Sequence, residues 1–65
     1  MTGMQKIVYD VLTDQFKSPD EIAHLAGIHT ISPRETASRY CIQLTKDGRA
    51  EKGGTGMFPR WRLKP

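Results

Sequence analysis

Two signals for the start of a helix constrain the fold of this chain more than any other feature. Residues 18–21 are Ser-Pro-Asp-Glu, and residues 32–35 are Ser-Pro-Arg-Glu. In each, the Ser is a preferred helix cap, the Pro suits the first helical position, and the Glu completes a capping box. Because both signals lie within 65 residues, the sequence predicts two short helices in close succession.

Apolar spacing predicts a further helix before these two. It runs from Gly3 to about Asp14, and its buried stripe at helical spacing consists of Met4, Ile7, Val8, Val11 and Leu12. The residues that follow are too few for another helix. We expect Phe16 to anchor a short extended segment there.

The two signalled helices each have a predicted end and a predicted apolar face. The second should stop at Gly27, because glycine readily takes the left-handed conformation that ends helices. Its expected buried side chains are Ile22, Ala23, Leu25 and Ala26. The third should begin just after Ser32 and end near residues 47–48. Its expected buried face consists of Ala37, Tyr40, Cys41 and Leu44.

Beyond Gly48 the apolar pattern changes to a period of two. Residues 49–52 and 57–63 alternate around a glycine-rich stretch at 53–56, which predicts a β-hairpin with a glycine tip. Alternation directs Trp61 and Leu63 to the core, and Arg60, Arg62 and Lys64 to the other face. Because Pro59 lacks an N–H, we expect either that the last strand is an edge or that pairing begins after Pro59.

These elements predict one α+β domain over residues 1–65. No apolar run approaches the roughly 18 residues of a membrane span, and the first residues, Met-Thr-Gly-Met, lack an apolar export signal. We therefore expect a cytoplasmic protein. Cys41 is the single cysteine, and no second Cys or His lies at metal-ligand spacing to it, so neither a disulfide, a metal nor a cofactor is expected. Without paired carboxylates, an activated nucleophile or a phosphate loop, the sequence does not indicate an enzyme.

Charge divides the chain into unlike halves. Residues 1–31 carry two Lys against four carboxylates, whereas residues 32–65 carry eight Lys and Arg against three carboxylates. The total of +3 therefore combines a half at −2 with a half at +5. This distribution is typical of a nucleic-acid-binding face on a neutral scaffold, although a plain solvated surface is the simpler alternative.

The order of the predicted elements resembles the winged helix-turn-helix domain. Residues 21–27, Glu-Ile-Ala-His-Leu-Ala-Gly, are similar to the first half of a bacterial helix-turn-helix, and residues 44–52 resemble the end of a recognition helix followed by a basic wing strand. In this respect the chain is similar to small stand-alone bacterial, phage or plasmid regulators of the fimbrial-operon type. Residues 28–31 depart from the tight form, because they lengthen the turn.

The resemblance implies a transcription regulator that binds double-stranded DNA in the nucleoid, with the third helix in the major groove and the wing on the backbone. A homodimer or a partner regulator would supply specificity, since one such module buries only about 600–1,000 Å² on DNA. The alternative is a protein-interaction module. A minor alternative is Z-DNA binding, because residues 58–61 resemble a Pro-x-Trp wing, although Ser38 and Ile42 stand where those domains carry Asn and Tyr.

The candidate contacts lie on the third helix and the wing. Arg39 suits guanine, and Gln43, one turn later, suits adenine. The alternative for Arg39 is an ion pair with Glu35. The alternative for Gln43 is a solvated side chain without a DNA contact. Near the helix start, hydroxyls and N–H groups favour phosphate. Arg34 is disfavoured there by the helix dipole, so we expect it to face a phosphate, with a plain surface residue as the alternative. The candidate residues are Arg34, Thr36, Ser38, Arg39, Gln43, Lys46, Arg49, Lys52, Arg60 and Arg62.

The other side chains that could carry chemistry have simpler roles in the prediction. Trp61 and Tyr40 are interpreted as core residues rather than stacking platforms, and Cys41 as a small buried apolar residue. His24 and His29 are expected on the surface, since no carboxylate or Ser beside them suggests catalysis. Ile42 is apolar on a polar face, where it could meet a thymine methyl, pack under the wing or belong to a protein interface.

Overall fold

A computed structural model describes residues 3–65 of the chain as three helices followed by a two-stranded antiparallel hairpin. The elements are α1 (Gly3–Val11), α2 (Pro19–Ala26), α3 (Pro33–Lys46), β1 (Ala50–Gly54) and β2 (Pro59–Leu63). The predicted α+β class and the order of its elements are confirmed. None of these helices combines the length and the apolar character needed to cross a bilayer.

Both Ser-Pro signals begin helices, but they do so in different ways. The Ser18 hydroxyl accepts a hydrogen bond from the N–H of Glu21 at 3.2 Å, as the capping box predicts. Ser32 has a ψ of 77°, and within the described residues its side chain makes no capping bond. The second capping box is therefore wrong as a hydrogen-bond motif. α3 still begins at Pro33, since the proline ring holds a helical φ without help from a cap.

α1 ends at Val11, about one turn earlier than predicted. Leu12 donates its N–H to the carbonyl of Tyr9 at 3.2 Å and buries its side chain in the core. The carbonyl of Thr13 then accepts a hydrogen bond from Leu63 at 2.7 Å. Pairing with β2 therefore draws the backbone out of the helix at this point, an effect that helical spacing in the sequence does not report.

β2 is an edge of the two-stranded sheet, as predicted, but an isolated bridge also engages its other side. On one side it pairs with β1 in the register from Ala50 opposite Leu63 to Gly54 opposite Pro59. On the other side Trp61 and Lys17 exchange two backbone hydrogen bonds, of 2.9 and 3.0 Å. The alternative, that pairing begins after Pro59, is wrong, because Pro59 lies opposite Gly54. Pro59 is tolerated because it stands at the first position of the strand, before the second neighbour begins.

The core lies where the three helices meet the inner face of the hairpin. Its buried side chains are Val8, Leu12, Ile22, Ala23, Ala26, Ile28, Ala37, Cys41, Leu44, Ala50 and Trp61. Most of the predicted inward faces are confirmed, and Tyr40 and Leu63 pack partly buried against the cluster. Ile7 and Leu25 are exceptions, at 44% and 50% exposed. The short α2 fills its inner face with Ile22, Ala23 and Ala26, so Leu25 faces away from the core.

Burial makes the Cys41 thiol inert. Desolvation raises the pKa of Cys41 to about 12, so the reactive thiolate is scarce at pH 8. We expect an aromatic disulfide reagent at pH 8 to modify the folded protein at least about a hundredfold more slowly than the chain unfolded in guanidinium. The measurement is the absorbance of the released thiol. Equal rates in the folded and unfolded states would contradict the buried position of this side chain.

Candidate nucleic-acid interface

The outward face of α3 gathers five of the sequence-predicted contact residues. Helical geometry repeats a side-chain direction every three or four residues, and the predicted spacing therefore brings these residues to one open, shallow concavity. Its lining consists of Arg34, Glu35, Ser38, Arg39, Ile42, Gln43 and Lys46. The face presents cations and hydrogen-bond donors. Ile42 lies among them and is 45% exposed.

A second concavity connects this helix face to the hairpin. Arg34 and Ser38 line both, and the second also includes Arg60 together with the tip of the hairpin and the start of α2. The remaining lining residues are Ser18, Pro19, Asp20, Met57, Phe58 and Pro59. We call the joined set the α3–hairpin surface. It consists of Arg34, Ser38, Arg39, Gln43, Lys46 and Arg60.

Arg34 makes a two-pronged ion pair with Asp20 at the start of α2. Its Nε donates to Oδ1 at 3.2 Å and its Nη2 to Oδ2 at 2.8 Å. The hydrogen bond from Arg34 lowers the pKa of Asp20, and the same contact raises the pKa of Arg34. Both side chains are exposed, so the pair contributes little stability. Its effect is to hold the Arg34 guanidinium in the groove, with its charge balanced by a carboxylate.

Three cations of the α3–hairpin surface lie outside the ion pairs that residues 3–65 form. Those pairs are Lys6 with Asp10, Arg34 with Asp20, and Arg62 with Glu51. Arg39 does not pair with Glu35, one turn earlier, so that alternative interpretation of Arg39 is wrong for this structure. Arg39, Lys46 and Arg60 are exposed, and they are the charges of this surface that an anion can reach without displacing a partner.

Arg62 is occupied on the outer face of the hairpin. Its Nη2 lies 2.9 Å from Oε2 of Glu51, and its guanidinium lies 4.5 Å from the centroid of the Phe16 ring. Phe16 in turn packs so closely over Gly53 that a methyl group at Gly53 would collide with the ring. The contact with Gly53 agrees with the prediction that Phe16 anchors the extended segment. Arg62, held by Glu51 and Phe16, lines neither concavity of the α3–hairpin surface.

The structure also leaves Thr36, Arg49 and Lys52 apart from that surface. Thr36 is half-buried, and its hydroxyl lies 2.9 Å from the hydroxyl of Thr30 in the turn before α3. The Arg49 guanidinium lies 5.9 Å from the ring centroid of Tyr9 on α1. Lys52 lines a separate concavity beside Thr45 and Lys64. These three candidates do not share one face with Arg39 and Arg60.

Sequence reasoning missed the apolar hairpin tip as part of the site. Met57 is 85% exposed and Phe58 is 70% exposed. The alternation of residues 57–63 suggested a continuous strand, but β2 begins only at Pro59, so the two side chains before it have no sheet face to occupy. Two large apolar residues between Gly56 and Pro59 were the signal that could have indicated an exposed tip.

Comparison of the chain with protein-family models, with curated proteins and with solved structures gave no match. What the fold and the site define is an α+β protein with an exposed, cation-rich and donor-rich helix face joined to a hairpin. Function is therefore inferred from the chemistry of that face.

Proposed function

We propose that this protein is a small winged-helix regulator of transcription that binds double-stranded DNA through the α3–hairpin surface. The observation that carries the proposal is the continuity of this surface, since Arg34 and Ser38 line the concavity on α3 and also the one shared with Arg60. The pairing of Lys17 with Trp61 adds support. It means that an extended segment between α1 and α2 lies beside the hairpin, as a winged helix would require.

The dimensions and chemistry of α3 suit the major groove. An α-helix with its side chains is about 10–12 Å wide, and the major groove of B-DNA is about 12 Å wide. Arg39 would donate two hydrogen bonds to a guanine, and Gln43, on the same face, would pair with an adenine. Lys46 and Arg60 would neutralise phosphates on either side. A phosphate would compete with Asp20 for Arg34, since both are anions that a guanidinium binds with two hydrogen bonds.

Fluorescence anisotropy on a duplex selected from a random pool tests the proposal. Arg39→Ala should weaken binding to the selected sequence by about 1–3 kcal/mol and relax the preference at one base pair. Arg60→Ala should weaken binding to all sequences alike. It should also reduce the slope of log K against log salt by about 0.9, the value for one lost phosphate contact. Asp20→Asn should strengthen binding if Arg34 contacts a phosphate.

Lys6→Ala is the matched control, because it removes one exposed cation of α1 that lines neither concavity of the α3–hairpin surface. It changes the net charge as much as Arg60→Ala does, so it separates a local contact from a general effect of charge. Equal losses of DNA affinity in Lys6→Ala and Arg60→Ala would argue against the α3–hairpin surface as the DNA-binding site. Binding that does not change with salt, or no binding at micromolar protein, would rule out the proposed function.

A protein-interaction module is the second candidate. The exposed Ile42 at the centre of the α3 face favours it, because an apolar side chain gains more from a protein partner than from phosphates. Nuclear magnetic resonance would distinguish the two, since duplex DNA should shift the amide signals of α3 only if DNA is the ligand. The Z-DNA alternative finds no support at Trp61, because this ring is 1% exposed and offers no face for a base to stack on.

A further inference from the structure

The hairpin tip presents two adjacent apolar side chains to solvent. Met57 and Phe58 project from the loop between β1 and β2, where no part of the core can cover them. Exposed apolar residues scattered singly are ordinary, whereas two large adjacent ones are a candidate interaction site.

Hydrogen bonds hold the tip in one shape. The Thr55 hydroxyl accepts from the N–H of Phe58 at 3.0 Å, and the Thr55 N–H donates to the carbonyl of Phe58 at 3.2 Å. Gly54 has a φ of +78°, and a side chain at this position would collide with that same carbonyl oxygen. The backbone of residues 54–58 is therefore closed on itself, so the two side chains are presented with little further loss of conformational freedom on binding.

The surroundings of the tip are cationic. From Lys52 to the end of the chain there are four Lys and Arg and no Asp or Glu. Arg60 and Arg34 line the groove immediately behind Met57 and Phe58, and Asp20, the carboxylate in that groove, is engaged by Arg34. An apolar tip set among cations is complementary to a ligand that is negative outside and apolar inside. Duplex DNA has this character, because its phosphates surround stacked bases.

We propose that Phe58 and Met57 form a wedge that enters the minor groove and opens one base step, while Arg60 holds an adjacent phosphate. The inference rests on the proposed function and deepens it, since it assigns the tip a mechanical role rather than a phosphate contact. Apolar side chains gain nothing from phosphates, whereas inserted wedges of Phe or Met partly unstack a step and kink the duplex by about 20–90°. The bend would bring further duplex against the cations of the hairpin.

Two measurements on the full chain test the wedge. In the first, a relaxed closed plasmid is treated with topoisomerase I in the presence of protein and the linking number is measured after the protein is removed. In the second, 2-aminopurine is placed at successive positions of a selected duplex, where unstacking raises its fluorescence. The wild-type protein should lower the linking number and brighten 2-aminopurine at one step. Met57→Ala/Phe58→Ala should abolish both signals and weaken duplex binding about tenfold, within the range for losing one stacked aromatic contact.

Ile31→Ala is the matched control, because Ile31 is also an exposed apolar residue but lies in the turn before α3. It should leave both signals unchanged, and the melting temperatures of all variants should agree because the altered side chains are exposed. Duplex binding by the wild type without either signal would overturn the wedge and leave the proposed function intact. Failure to bind any duplex would overturn both. Tip-dependent binding to vesicles of phosphatidylserine, with no unstacking of DNA, would assign the tip to a membrane surface instead.

Discussion

Replacing Trp61 with alanine is expected to remove most of the stability of the protein. Trp61 is the largest of the fully buried side chains, and it joins β1, the extended segment at Lys17 and the helical core. Truncation of a buried Trp costs about 3–5 kcal/mol. A domain of this length is stable by about 3–10 kcal/mol in total. Urea denaturation followed by circular dichroism should therefore show that most of the stability is lost.

Trp61→Phe is the matched control for this loss. Within residues 3–65, Nε1 of Trp61 is buried without a hydrogen-bond partner, and such a donor costs about 1–3 kcal/mol. Phenylalanine removes this donor and retains most of the apolar area, so the variant should lose less than about 2 kcal/mol. If Phe proved as damaging as Ala, the shape of the indole rather than its apolar area would dominate at this position.

Gly54→Ala is the second substitution expected to have a large effect. Gly54 has a φ of +78°, which costs a residue with a side chain about 1–2 kcal/mol. In addition, the new methyl group would collide with the carbonyl oxygen of Phe58, a backbone atom that cannot rotate away. We expect thermal denaturation to show a larger loss of stability than backbone strain alone would cause. Amide chemical shifts near the tip should also change as the turn opens.

Two other glycines separate the causes of this effect. Gly48 has a φ of +75°, but a methyl group there would meet nothing within 4 Å among the described residues, so Gly48→Ala reports the strain alone. Gly56 has neither the strained φ nor a near neighbour in the described part of the chain, and Gly56→Ala should be almost neutral. Equal losses of stability in Gly54→Ala and Gly48→Ala would show that the hairpin tip avoids the clash with the carbonyl oxygen of Phe58 at no cost. The wedge would then lack its rigid support.

For the site, sequence reasoning predicted which residues share the outward face of α3, but not the contacts that the candidate residues make with other elements. Helical spacing alone groups Arg39, Gln43 and Lys46, since it depends on residues within two turns of one another. The pairing of Arg34 with Asp20 was not predicted, because the two residues belong to different helices and meet only when α2 packs against α3. Arg62 was assigned to DNA for the same reason, since Phe16 and Glu51 approach it only in the folded hairpin.

About the fold, local signals were sufficient for most boundaries. The starts of α2 and α3, the end of α2 at Gly27 and the change to hairpin at Gly48 depend on proline, serine and glycine acting within a few residues. Tertiary structure decided the end of α1, the bridge between β2 and Lys17, and the outward direction of Leu25. Each of these is selected by a contact between segments far apart in the chain. Capping and periodicity act over about one turn, so they cannot register such contacts.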